Sequence, residues 1–336
     1  MITKITMSLF KDVKHECLEM KPLTLLMGHN SAGKSSCIQA VLCTLYHCSF
    51  NAKLLLDQQD FSFDSLANKY ENAKSYKLRI DFTDGFIGYG NAADGTEEVL
   101  NEIGQFVDLE KNVFYLGANR LGYKEFEDVS LDFHVGTQGE YLFGEYHQNK
   151  SKQVIEAIRV VPDSDTLAAH FNYWLSYILD TEYSMDTEEV SKKKVHVEYG
   201  VDGLDGITPD QLGVGVSYLA KILIMCLRSQ RGDVLMIENP EIHLHPAACA
   251  RLGEFLVYIA KAGVQLIIET HNEHIISMLQ YSIYKGRFDC DDAVAYYKST
   301  PTDSFLRIDF DRNGKLSQDV PSGFFDATLA QLIEMQ

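Results

Sequence analysis

The chain has 336 residues, 46% of them hydrophobic and 23% charged. These proportions exclude disordered and collagen-like classes and allow one large domain or two small ones. A formal net charge of −18 weighs against a protein that grips DNA over an overall basic surface, and it favours solubility and a cationic partner surface.

The opening MITKITMSLF has no charged leader followed by an apolar run, so no secretory signal is expected. Ile2, Ile5, Met7 and Phe10 read as an early strand and turn, and Leu23 to Met27 as a buried strand. Gly28 to Ser36 is a glycine-containing loop, and Ser36 to Tyr46 has helical apolar spacing. Lys77 to Phe82 alternates like a half-exposed strand, with turn signals at Asp84-Gly85 and Asp94-Gly95. Val113 to Leu116 is an apolar strand followed by Gly-Ala-Asn-Arg, and Asp165 to Leu179 reads as an amphipathic helix. Thr181 to Lys194 reads as a polar, mobile surface segment. The last third alternates helix and strand: Leu219–Leu227, Val234–Ile237, Ala247–Ala260, Val264–Ile268, Glu273–Gln280 and Ala293–Tyr297. This rhythm predicts an α/β fold with a mostly parallel sheet flanked by helices, and with ligands at the carboxyl ends of its strands. The stretch from Leu212 to Leu227 is broken by Lys221 and too short to span a bilayer. The seven cysteines are odd in number and include no C-x-x-C pair, so they read as buried free thiols in a reducing cytoplasm.

The chemistry-bearing text begins at Gly28-His-Asn-Ser-Ala-Gly-Lys-Ser35, which fits G-x-x-x-x-G-K-[ST] at every fixed position and lies between a strand and a helix. Such a loop curls Gly28, Asn30, Ser31, Ala32 and Gly33 so that backbone N–H groups point at a phosphate, and Ser36 continues into the helix whose N-terminus also attracts anions. Lys34 supplies a positive charge for the β- and γ-phosphates of ATP, and the Ser35 hydroxyl a ligand for Mg²⁺. Val234-Leu-Met-Ile-Glu238 is an apolar strand ending in a carboxylate, the Walker B arrangement that aims an acid at Mg²⁺ or its bound water.

Three segments, GHNSAGKSS, IENPEIHLHP and ETHNEH, resemble the ABC-type ATPases of the SMC, RecF and OLD group. The ending IDFDRNGKLSQDVPSGFF resembles the C-terminal domain of small ATPases found in prokaryotic anti-phage systems such as Septu. The resemblance covers both ends of the chain; residues 51 to 200 match loosely. It implies an ABC-type P-loop ATPase head occupying residues 1–336: a nucleotide-binding core from 1–50 and 200–336, an antiparallel β-lobe from about 51–164 and a small helical insertion from about 165–199. It also implies that IENPEIHLHP joins Walker B to a D-loop, that His271 is the switch histidine, and that Leu212-Gly-Val-Gly-Val-Ser217 is the signature. In such ATPases two heads clamp ATP between them, so Gly213, Gly215 and Ser217 are expected to meet the γ-phosphate held by a partner copy. The signature departs from the usual LSGGQ, with Gly213 at the serine position, which implies a weaker or shifted contact in trans.

A second departure is Asn239, where ABC ATPases usually place a glutamate that orients the attacking water. Asparagine can hydrogen-bond a water but cannot take its proton. Either turnover is slow and the closed dimer long-lived, or Glu241 or Glu269 takes over the task. The function implied is a Mg²⁺-ATP-dependent dimeric switch controlling a separate effector, a nuclease, in anti-phage defence. The alternative is a RecF-like DNA-repair ATPase that binds DNA directly. His243, His245, His271 and His274 fit a D-loop and a switch better than a zinc site. Asp309 and Asp311 fit a hairpin turn better than a nuclease D-x-D, and Lys192–Lys194 fits a solvated loop better than a DNA contact.

Overall fold

Three sheets organise the computed structural model, which describes residues 1–104, 107–122 and 124–318. The first is antiparallel. Alternation buries Ile2, Ile5, Met7 and Phe10 of β1 (Ile2–Phe10), which pairs with β2 (Val13–Glu19) and, on its other edge, with β4 (Ser75–Phe82). β5 (Gly85–Ala92) and β6 (Glu97–Ile103) extend it in the order β2-β1-β4-β5-β6.

The second sheet is the expected parallel one. Its order is β15-β14-β3-β13-β12-β7, built from β3 (Leu23–Gly28), β7 (Val113–Leu116), β12 (Val234–Glu238), β13 (Gln265–Glu269) and β14 (Ala293–Lys298), with β15 (Leu306–Ile308) antiparallel at the edge. The parallel strands are continuous apolar runs because both faces are covered. A third, smaller sheet gathers β8 (Glu127–Asp128), β9 (Tyr183–Ser191) and β11 (Leu204–Ile207) around β10 (Lys194–Val201), all antiparallel.

Helix α1 (Ser35–Cys48) lies between the first two sheets. Its Ile38, Val41, Leu42 and Leu45 share a core with β1 and with Leu26, Met236, Ile267 and Val294 from one face of the parallel sheet. Two short helices follow, α2 (Phe50–Leu55) and α3 (Phe63–Leu66). The opposite face, with Leu25, Met27, Leu235, Ile237, Leu266 and Ile268, is covered by α4 (Leu142–Asn149), α5 (Leu167–Leu179), α6 (Val214–Leu227), α7 (Pro246–Lys261) and α8 (Glu273–Tyr284). Each fully buried aliphatic side chain stabilises by about 1.5–3 kcal/mol relative to exposure, so strands that feed both cores fix the layer order strongly. No helix among the described residues is long and apolar enough to cross a membrane.

Three expectations need correction. The antiparallel sheet is not confined to residues 51–164: its first two strands precede the phosphate loop, and β7, inside that range, belongs to the parallel sheet. The stretch 165–199 holds one helix, α5, and then the hairpin β9–β10. The segment 181–194, expected to be mobile, is mostly β9. Its inward positions are Met185 and Thr187, and the polar threonine between Asp186 and Glu188 hides the alternation. Lys192 and Lys193 form the hairpin turn, while Lys194 pairs with Asp128 at 2.6 Å. Asp311 accepts backbone N–H groups of Asn313 and Lys315, both at 2.8 Å, as a turn residue does. Of the C-terminal segment that carries the anti-phage resemblance, residues 319–325 lie outside the described residues.

Candidate active site

The phosphate loop leaves the carboxyl end of β3 and enters α1, as its sequence context requires. Two of its glycines are forced. Gly28 has φ 134°, and a Cβ there would lie 1.9 Å from the Lys298 carbonyl oxygen; Gly33 has φ 96°, and a Cβ there would strike the Asp12 carboxylate. Lys34 is buried, with Nζ donating to the His29 carbonyl at 2.7 Å. Burial pulls its pKa down, while the charges of Glu269 and Glu241 push it back up. Asn30 and Ser31 are exposed and Ala32 is buried. The Ser36 hydroxyl bonds to Asp12 beneath the loop.

Parallel pairing sets Glu238 of β12 beside Glu269 of β13. Glu238 receives the Tyr115 hydroxyl at 3.1 Å and the Ala118 N–H at 3.2 Å. Glu269 is buried and accepts from the Ser35 hydroxyl. Burial is the main reason its pKa rises to about 7; the Glu238 and Glu241 charges add to the rise, and Ser35 and Lys34 oppose it. Glu241 accepts the His271 N–H at 2.9 Å, and burial raises its pKa too. The His271 ring bonds to the Gly28 backbone, which favours its charged form. Desolvation and then Lys34 outweigh that and lower its pKa. The Asn239 N–H donates to the Glu269 carbonyl at 2.7 Å, and its backbone is left-handed, φ 44°.

Four buried polar atoms at this end have no protein partner: Asn239 Oδ1, Glu241 Oε2, Glu269 Oε2 and Arg120 Nε. The Ser35 hydroxyl and the Glu238 carboxylate line one cavity, with the orphaned carboxylate oxygen of Glu269 beside Ser35, an all-oxygen donor set that fits Mg²⁺.

The raised pKa of Glu269 has a stability consequence. The folded state binds its proton more tightly than the unfolded chain, where the ordinary value is 4.5. Its contribution is therefore full below about pH 4.5 and is lost as pH rises through about 7. Glu269→Gln is expected to stabilise the nucleotide-free protein by roughly 2–3 kcal/mol at pH 8 and by little at pH 5. Urea midpoints at the two pH values measure this; an equal gain at both would mean that ionisation of Glu269 is not the cause.

The signature stretch opens α6, with Gly213 as its N-cap. The expected roles of its three residues separate. Ser217 is buried with its hydroxyl against that of Tyr199, so it faces the core and not a partner's phosphate. A Cβ on Gly215 would lie 2.5 Å from the His243 carbonyl oxygen, so Gly215 lets the D-loop pack on α6 within one protomer. Gly213 has open space around it. Gly215→Val is accordingly expected to cost about 1–3 kcal/mol of stability without any partner, and Gly213→Val almost nothing. Thermal melts of both without nucleotide test the distinction, and equal melting temperatures would refute it.

His243 is exposed in the left-handed region (φ 63°), His245 caps α7 by accepting the Ala247 N–H at 3.3 Å, and the His274 N–H caps onto Asn272 at 2.8 Å. These are loop and capping roles.

Sequence reasoning missed four residues around the loop. Asp12, in the β1–β2 turn, lies under the phosphate loop and bonds to both Ser36 and the buried Lys298. Lys11 (φ 52°) reaches Gln39 and lines a cavity of about 350 Å³ with Ser35, Tyr115 and Glu238. Arg120, after β7, holds the carbonyls that follow Walker B. The only sequence signal for these residues was a charged residue just past the end of an apolar strand.

Residues 96–277, a little over half of the chain, match a family described as "AAA domain, putative AbiEii toxin, Type IV TA system". A stretch of 63 residues is 36% identical to the Old nuclease of Escherichia phage P2, covering 18% of this chain but only 11% of that protein. Among solved structures, an Smc head bound to the C-winged helix domain of ScpA superposes with TM-score 0.58 at 12% identity, over 93% of this chain and 98% of that one. The SMC head domain from Thermotoga maritima gives 0.52 at 12% identity, over 92% and 99%. An Smc head with an extended coiled coil, bound to the C-terminal domain of ScpA derived from Pyrococcus furiosus, gives 0.58 at 12% identity, over 99% of both chains. At such identity the likeness is one of fold, and the fold is that of an ABC-type head.

Proposed function

From the premise that the chain belongs to this AAA-domain family and is an ATPase of the SMC/RecF/OLD type, we propose that it is a Mg²⁺-dependent switch. Two copies close on ATP and control a separate effector, a nuclease, in defence against phage. The nucleotide lies over the loop from Gly28 to Ser35, with Lys34 on its phosphates. Ser35 and Glu238 hold Mg²⁺, which neutralises phosphate charge when bound, and Glu269 is poised to accept a proton from the attacking water. Asn239 orients that water through its amide.

The observation that carries the two-copy part is the separation of the two half-sites. The cleft at Ser35 and Glu238 and the groove at Gly213, His243 and His245 share no lining residue. The open flank of Gly213 is free to receive a second molecule's phosphate. Light scattering with a non-hydrolysable ATP analogue and Mg²⁺ is the test. The wild-type chain is expected to pair, and Gly213→Trp to remain single while binding nucleotide normally. Pairing that persists in the variant would remove Gly213 from the contact. The effector part rests on the resemblance to small anti-phage ATPases and on the likeness to a phage nuclease. Affinity purification from native cells should bring down a nuclease whose DNA cleavage depends on the nucleotide supplied. A complex that leaves DNA intact in every nucleotide state would overturn it.

A further inference from the structure

One charged group at the catalytic end has no task in the mechanism above. Arg120 is only 3% exposed. Its Nη2 donates to the Glu238 carbonyl at 2.5 Å, its Nη1 donates to the Asn239 carbonyl at 3.1 Å, and its Nε is buried without a partner. A guanidinium buried on neutral carbonyls is an expensive way to fill space, because desolvating a full charge costs several kcal/mol that an apolar side chain would not incur. What the planar fork achieves is geometric: it holds two successive carbonyls at once, across a residue in the left-handed conformation. Glu241 and then Glu238 balance its charge from a distance.

The segment that carries Arg120 is bonded on both sides. Toward Walker B, the Ala118 N–H and the Tyr115 hydroxyl hold the Glu238 carboxylate. Toward α6, the Tyr218 hydroxyl donates to the Arg120 carbonyl at 3.0 Å and Lys221 Nζ donates to the Leu121 carbonyl at 2.8 Å. Residues 117–122 thus form a strap between the turn that ends Walker B and the helix that begins at the signature glycines.

We propose that Arg120 is a positioning residue for hydrolysis: it fixes the Glu238–Asn239 turn in the form that presents both side chains to the nucleotide, and it ties that turn to the signature helix. The inference rests on the ATP site assigned above. It adds a component that touches neither nucleotide nor metal.

The test compares the full-length wild type with Arg120→Gln and Arg120→Lys. It measures melting temperature, affinity for a fluorescent ATP analogue, and the rate of phosphate release. For Arg120→Gln we expect kcat to fall about tenfold to a hundredfold, with affinity within about threefold. Arg120→Lys keeps the charge but cannot bridge two carbonyls, so only part of the rate returns. Unchanged kcat in Arg120→Gln overturns the proposal. So does a fall of kcat matched by a parallel fall of melting temperature and affinity, which is the signature of a purely structural residue. If Arg120→Gln does not fold, Arg120→Lys decides alone: a full wild-type rate overturns the proposal and a reduced kcat at normal affinity supports it. A wild-type chain that releases phosphate no faster than Lys34→Ala would instead sink the assignment of the ATP site.

Discussion

Lys34→Ala is expected to weaken ATP binding by about a hundredfold or more, since truncating one partner of a buried charge pair typically costs 2–5 kcal/mol. The residue is buried at the mouth of the loop, with its ammonium held by the His29 carbonyl and facing the charges of Glu269 and Glu241. The substitution removes the cation that meets the phosphates. It also leaves Glu269 and Glu241 less compensated, so the site that remains is more repulsive to a triphosphate than an empty loop would be. Stability is expected to change little by comparison, because the loop's form is fixed from below by Asp12, Ser36 and Lys298. Titration with a fluorescent ATP analogue at fixed Mg²⁺ gives the answer. Equal affinity in parent and variant would place the nucleotide elsewhere.

Glu269→Gln is expected to lower kcat by about 10²–10⁴-fold with ATP affinity nearly intact, because a proton acceptor that acts in the transition state contributes little to ground-state binding. A base with a pKa of about 7 must be ionised to act. Wild-type turnover should therefore rise about tenfold per unit as pH approaches 7 from below and then level off, and the variant should lose that limb. Glu241→Gln is the control: its carboxylate is committed to the His271 N–H, so we expect the His271 segment to loosen and the rate to fall less. The reverse ranking would move the base to Glu241. Asn239→Glu restores the residue usual in ABC ATPases, but the backbone there is left-handed, φ 44°. Asparagine tolerates that conformation better than glutamate does. A failure of Asn239→Glu to speed hydrolysis would therefore reflect backbone strain as well as chemistry.

The order of strands along the chain was legible because its signals are local. Apolar runs at Leu23, Val234 and Gln265, each ending at a loop with a glycine or carboxylate, mark buried parallel strands directly. What was not legible depends on tertiary placement. β9 hid behind a threonine facing inward, and β1 pairs with β4, a strand that comes more than fifty residues later in the chain. Ser217 and Gly215 illustrate the same limit within the site. A motif gives residue types at a spacing, but whether a hydroxyl faces a partner's phosphate or the hydroxyl of Tyr199 depends on the helix phase set by packing. Asn239 was legible as a chemical departure, whereas its left-handed backbone, which favours asparagine on steric grounds alone, was not. Asp12, Lys11, Lys298 and Arg120 lie at turns and strand ends where nothing in the local pattern distinguishes them.

The position of β3 in its sheet bears on how the protein is made. The strand that carries the phosphate loop is flanked by β13 and β14, whose residues are 265–269 and 293–298, and the loop's underside is closed by Lys298. The loop is synthesised more than two hundred residues before its strand gains a neighbour in β13 and before its acidic support gains its counterion in Lys298. Contacts of such sequence separation form slowly because loop closure must precede them. A nascent or truncated chain ending before β14 is therefore expected to lack nucleotide affinity even though it contains the phosphate loop, so that ATP engagement reports that β13 and β14 have closed around β3.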